Sequence, residues 1–245
     1  DSAMARSLSY KDSLTVTDDT PFYTFNSAAQ AETLGNLVAL TGETYYSGSL
    51  KGEEIANYAY NYTTKKNTQG SYVDSEPKTT SVYLYGDSND RATDSTVTSE
   101  TRMTESDTYK TTDIANIWKL ASTAAKTTNI QSATFYKQDK GFETADYSFN
   151  YQVGSTTVKS TSVFFYTPTV LQLDGLQRAK TADSDSAMAR SLSYKDSLTV
   201  TDTTPFYTHD AVTGKDNVNN LVELTGETHY AGAVKGEEIA NFTYN

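Results

Sequence analysis

Tyr58, Tyr60 and Tyr62 are separated by Ala59 and Asn61, and Tyr147, Phe149 and Tyr151 by Ser148 and Asn150. This period of two places every second side chain on one face of a strand. Leu14 and Val16, set between Ser13, Thr15 and Thr17, predict a shorter strand of the same kind. The runs Val82 to Tyr85 and Val163 to Tyr166 are apolar at successive positions and predict central strands covered on both sides. Ile114, Ile117, Trp118 and Ala121 follow another period, i, i+3, i+4, i+7, behind Thr112 and Asp113, which predicts a short capped amphipathic helix. Leu34, Leu37, Val38 and Thr41 before Gly42 repeat that spacing, as do Val218, Leu221, Val222 and Thr225 before Gly226. The predicted fold is mainly β: tandem Ig-like β-sandwich domains, each with one short helix. The alternative is an α+β domain with the helix packed on an antiparallel sheet.

A repeat sets the organisation. Residues 1–24 return at residues 185–208 with one change, Asp19 to Thr203, and about 42 of the first 61 residues recur over 185–245. Inside this long period, Lys51 to Tyr62 resembles Lys140 to Tyr151, and Ser81 to Tyr85 resembles Ser162 to Tyr166. Asn36 to Leu40 is matched in the same way to Asn116 to Leu120. The matches keep their order, so each period contains two diverged units of about 90 residues, a size that suits a small domain. The expected domains are 1–90, 91–184 and 185–245, the last an incomplete copy of the first. Because an interior copy begins where residue 1 lies, the chain reads as a window on a longer array.

Composition narrows the function. No cysteine and two histidines, His209 and His229, remove disulfides, thiolate chemistry and a His-rich metal cluster. A net charge of −11 has the wrong sign for a phosphate backbone, so no nucleic-acid partner is expected. No apolar run is long enough to span a bilayer as a helix, and Asp1-Ser2-Ala3-Met4 lacks the start of a signal peptide. No nucleophile, base and orienting group stand together, and no enzyme is expected.

Oxygen ligands are the remaining route to a cofactor. Asp87, Asn89 and Asp90, and Asp183 with Asp185, fall where units join, and calcium there would stiffen the joints. Asp18-Asp19 is a third acidic pair, although Thr203 replaces Asp19 in the second copy. Glu53-Glu54 recurs as Glu237-Glu238, but neighbouring residues point to opposite sides, so a turn bent at Gly52 is expected rather than a carboxylate pair flanking a substrate bond. Tyr45, Tyr58, Tyr60 and Tyr62 form an aromatic row suited either to packing or to stacking on sugars. Asn61 and Asn241 lie in N-glycosylation triplets. A Lys to Asn cross-link served by Glu53 or Glu54, with Lys11 or Lys51 as donor, is a further chemistry open to a cysteine-free surface chain.

Near-identical long repeats, absent cysteine, abundant Ser, Thr and Tyr and an acidic balance resemble the tandem-repeat regions of microbial surface proteins, the adhesin-stalk and extracellular-filament class. The resemblance implies an extracellular or cell-surface structural repeat that lengthens a stalk or fibre. It implies neighbouring copies of itself as partners, with Ser7 to Thr17 as a strand able to cross a joint. The second function implied is a carbohydrate-binding adhesin module acting on surface glycans.

Overall fold

A computed structural model describes residues 2–12, 16–17, 19–27, 31–110, 126–168 and 175–245. Their regular elements are all strands. In chain order these are β1 (Arg6–Tyr10), β2 (Tyr23–Asn26), β3 (Ala31–Leu34), β4 (Leu40–Ser47), β5 (Ile55–Thr63), β6 (Glu76–Tyr85), β7 (Asp90–Arg91) and β8 (Met103–Tyr109). They continue as β9 (Ile130–Lys137), β10 (Thr144–Tyr151), β11 (Val158–Tyr166), β12 (Met188–Lys195), β13 (Tyr207–Asp210), β14 (Lys215–Val218), β15 (Leu224–Ala231) and β16 (Ile239–Tyr244).

One antiparallel sheet runs in the order β1-β4-β5-β6-β8-β9-β10-β11-β12-β15-β16, with β7 paired to β6, and two hairpins, β2–β3 and β13–β14, stand apart from it. Tight connections favour antiparallel neighbours, and nearly every strand here pairs with the next long one in sequence. Four long strands make a unit, β1, β4, β5 and β6, then β8, β9, β10 and β11, and the shorter third unit contributes three, β12, β15 and β16. The register agrees, with Arg6 opposite Tyr45, Glu105 opposite Phe135 and Arg190 opposite His229. A bulge follows in each unit, before Tyr10, Tyr109 and Tyr194.

The expected separate Ig-like sandwiches do not form among the described residues. The sheet continues through β6 and β8 on either side of position 90, and through β11 and β12 on either side of position 184. Its apolar face is covered by inserted loops and hairpins instead of by a second sheet. Phe206 and Tyr207, with Leu198, Val200 and Val218, pack on Val163, Phe165, Leu192 and Tyr194. A second cluster gathers Val82, Leu84, Tyr109, Ile130 and Ala133.

Two of the three expected helices are corrected. Leu34 ends β3, Leu37 and Val38 connect, and Thr41 lies in β4; Val218 ends β14, Leu221 and Val222 are exposed, and Thr225 lies in β15. Ala39 and Glu223 take a φ near +59°, which breaks a helix, and exposed Leu221 and Val222 form no stripe to bury. The third helix, around Ile114 to Ala121, lies outside the described residues, as does Leu14. Leu198 and Val200, the second-copy counterparts of Leu14 and Val16, lie outside any strand and pack on the core.

Candidate functional site

The expected strand tyrosines are in place, and they pack. Tyr45 stacks on Tyr58 with ring centroids 4.5 Å apart and 13° between planes, and Tyr60 meets both edge-on. Phe135, Tyr147 and Phe149 repeat this geometry, with a stacked pair at 4.5 Å. His229, Phe242 and Tyr244 repeat it again at 4.4 Å. A T-shaped cluster is a packing motif, not a coplanar sugar platform. Tyr62 donates its hydroxyl to Glu43 Oε2 at 3.3 Å on the same face.

The tandem glutamates form a turn device. Glu54 Oε1 accepts the Met4 N–H at 2.7 Å and its Oε2 accepts the Gly52 N–H at 2.8 Å, with Gly52 at φ +87°. Glu143 binds Met103 and Gly141 in the same way, and Glu238 binds Met188 and Gly236. Each carboxylate thus ties a hairpin loop to the strand two places away in sequence order of the unit. The Met4 N–H, foremost among its donors, holds the Glu54 carboxyl below its ordinary value of 4.5. A lowered folded pKa means the unfolded chain binds more protons in acid, so this contribution is present above pH 4.5 and fades as pH falls through the folded value. Thermal unfolding of wild type and Glu54→Gln should therefore differ at neutral pH and converge in acid.

Of the positions expected to hold calcium, those at the first joint are engaged by protein groups. Asp87 pairs with Arg102 at 2.6 Å, and Asp90 Oδ2 accepts the Thr96 hydroxyl at 3.0 Å. Asn89, at φ +55°, donates to Glu105 and accepts from Thr104. Asp183 and Asp185 are exposed on a turn in which the Ser186 N–H bonds the Asp183 carbonyl. Among the described residues no three His, Cys, Asp or Glu side chains gather as a metal-binding group. Asn61 lies inside β5 with its amide nitrogen donating to Thr79 and Ser81, whereas Asn241 is exposed on β16. Lys11 and Lys51 are exposed.

Each unit carries a partly buried ionic cluster beside its first strand. In the first, Arg6 lies 4.0 Å from Glu43, and Glu43 accepts the Tyr23 hydroxyl at 2.8 Å. Burial and then Glu43 push the Tyr23 hydroxyl up to about 12. In the third, Arg190 pairs with Glu227 at 3.2 Å, and Tyr207 donates to Glu227 at 2.8 Å. The middle unit inverts the pattern: Glu105 stands where the others have Arg6 and Arg190, and Ala133 where they have Glu43 and Glu227. The cation there is Lys126, bonded to Glu105 Oε1 and, at 2.6 Å, to Asp107 Oδ2. An acidic pair at i and i+2 of an alternating strand was the available sequence signal, because the spacing puts both carboxylates on one face.

The other face of the sheet is built from small neutral groups. One ladder of paired residues runs Tyr83, Ser106, Thr134, Ser148, Ser162, Ser193 and Gly226 across seven strands. Tyr46, Tyr136 and Tyr230 each share a hydrogen bond with a serine of the adjacent strand, Ser7, Ser106 and Ser191, at 3.0–3.2 Å. With Tyr83 and Phe164, opposite Ser106 and Ser191, these rings stand on β4, β6, β9, β11 and β15, every second strand of the sheet. At a strand spacing of ~4.8 Å, neighbouring rings are roughly 10 Å apart. No protein-family model, curated protein or solved structure matches the chain.

Proposed function

We propose that this chain is a structural repeat segment of a long extracellular or cell-surface fibre, in which copies extend one β-ribbon by adding strands. The observation that carries this reading is the pairing of β12. One edge bonds β15 of its own copy, from Arg190 opposite His229 to Tyr194 opposite Leu224, and the other bonds β11 of the preceding unit over Ser160 to Tyr166. β8 stands likewise between β9 and β6. The joint is then the same backbone ladder as the interior of a unit, so a new copy adds length without needing a new kind of contact. The acidic balance keeps such a repetitive surface self-repelling outside its paired edges.

The test is dimensional. One period of 184 residues contributes eight long strands, β1, β4, β5, β6 and β8 to β11. Proteins carrying two and three periods should lengthen in small-angle scattering by roughly 38 Å per period at ~4.8 Å per strand, with an unchanged cross-section. Independent beads on flexible joints would give no fixed increment and would sink the ribbon.

A second reading, glycan binding, is favoured by the hydroxyl face and not by the Tyr45, Tyr58 and Tyr60 cluster. Rings at every second strand above a ladder of neutral hydroxyls suit the flat faces and edge hydroxyls of an extended neutral polysaccharide lying across the strands. A neutral ligand also escapes repulsion by a chain of net charge −11.

A further inference from the structure

We propose that Lys126 and Asp107 join through a side-chain amide, formed within the folded chain with Glu105 as the proton carrier. Lys126 Nζ lies 2.6 Å from Asp107 Oδ2 and is bonded to Glu105 Oε1, so nucleophile, acyl group and a second carboxyl are in mutual contact. Both carboxylate side chains are 4% exposed and that of Lys126 is 23% exposed. Asp107 Oδ1 is buried without a hydrogen-bond partner, while Tyr109 donates to Oδ2 at 2.9 Å. The carbonyl side of the group is therefore left without the bonds that would hold it as a resting carboxylate. Asn89 fixes Glu105 through Oε2 at 2.9 Å, leaving Oε1 toward the lysine.

Condensation requires a proton to leave Lys126, which its two carboxylate partners hold in the charged form, and a second group to carry it. Burial, and then the adjacent Asp107, raise the Glu105 carboxyl to about 7, so Glu105 can take up and release a proton near neutrality. Burial opposes charge on Lys126, yet the two carboxylates hold it above its usual range, so it must first pass a proton to the carboxyl pair. The free amine then attacks Cγ of Asp107. Glu105 takes a proton from the nitrogen of the addition intermediate and returns it to the departing oxygen. A C–N bond forms, the C–O bond breaks, one water leaves and Glu105 ends as it began. Ammonium plus carboxylate becomes amide plus water, with no oxidant or external reactant. Arg91, close enough to interact electrostatically with Asp107, offers positive charge to the oxyanion.

The first and third units cannot do this. They present Leu8 and Leu192 where the middle unit has Asp107, and an arginine where it has Glu105. Arginine and glutamate form a salt bridge only, because the guanidinium keeps its proton. The cross-link is thus expected once per period, and its position differs from the exposed lysines and glutamates considered from sequence.

Intact-mass spectrometry of the purified full chain, held folded at neutral pH, should give a mass lower than the sequence by one water. Proteolysis should release one branched peptide linking residues 107 and 126. Lys126→Arg should restore the full mass. Asp107→Asn should yield the same amide with loss of ammonia. Glu105→Gln, nearly isosteric, should stay folded by circular dichroism and accumulate the full-mass form. A folded wild-type chain at full mass with no branched peptide overturns the proposal, and undiminished linkage in Glu105→Gln removes Glu105 from the proton-carrying role.

Discussion

Asp146→Ala should destabilise the protein by about 3–5 kcal/mol, because it leaves a buried arginine without its counter-ion. Asp146 is among the largest fully buried side chains, and Arg178 reaches it through Nε at 2.9 Å and Nη2 at 2.7 Å. Arg178 also lies over the rings of Phe206 at 5.1 Å and Phe165 at 5.9 Å, so the pair bridges the middle unit to the loop that covers it from the third. The guanidinium cannot shed its charge to escape the low-dielectric site. Urea unfolding of Asp146→Ala against wild type measures the loss. The double variant Asp146→Ala/Arg178→Met should recover most of it, since an apolar side chain of similar volume over Phe206 carries no desolvation cost. A single variant within about 0.5 kcal/mol of wild type would mean that water reaches Arg178.

This site also marks how far the sequence could be read. Alternation placed β5 and β10 correctly, because Tyr58 to Tyr62 and Tyr147 to Tyr151 keep a strict period of two and only a half-buried strand uses it. The same method misread 34–41 and 218–225, where two strand ends and a connection mimic helical spacing. Ala39 and Glu223 turn the chain through left-handed φ at those points without the glycine or asparagine that would have signalled it. That misreading also hid β4 and β15, and with them Glu43 and Glu227. The match of 36–40 to 116–120 was out of step, since the sheet register gives Leu40 the counterpart Ile130. Identity counts favoured separate domains because they compare segments and not edges. Nothing in Ser81 to Tyr85 or Arg190 to Tyr194 tells that β6 meets β8 and β11 meets β12, which is a property of which edge is left open. The ionic cluster was illegible for a similar reason: Glu105 and Asp107 share a face by spacing alone, but Lys126 arrives from a distant connection.

On the glycan-binding reading, replacing Tyr83 and Tyr136 together by alanine should abolish most adhesion to an insoluble neutral β-linked glucan such as cellulose, in a variant checked by circular dichroism to be folded, because Tyr83 also packs on Ile55, Tyr85 and Ala92. The two rings are consecutive members of the row on the hydroxyl face: Tyr83 pairs with Ser106, and Ser106 shares its hydrogen bond with Tyr136 at 3.1 Å. Burial first, and then the nearness of Tyr136 and Tyr46, raise the Tyr83 hydroxyl above its ordinary value, so the ring is neutral at neutral pH. Each stacked ring contributes about 0.5–1.5 kcal/mol, so the pair accounts for roughly 1–3 kcal/mol, or about a 5- to 150-fold fall in affinity. On that reading a long glycan contacts several rings at once, and losing two neighbours from five divides the row into separated parts, which adds to the loss for a long chain more than for a short one. A pull-down with cellulose, repeated with soluble oligosaccharides of increasing length as competitors, separates these effects. Competition should strengthen steeply once an oligosaccharide spans two strands' worth of rings. The Tyr45→Ala change on the opposite face should leave adhesion unaltered, and if it weakens adhesion as much as the Tyr83 and Tyr136 changes do, the binding surface lies on the packed aromatic cluster and not on the hydroxyl face.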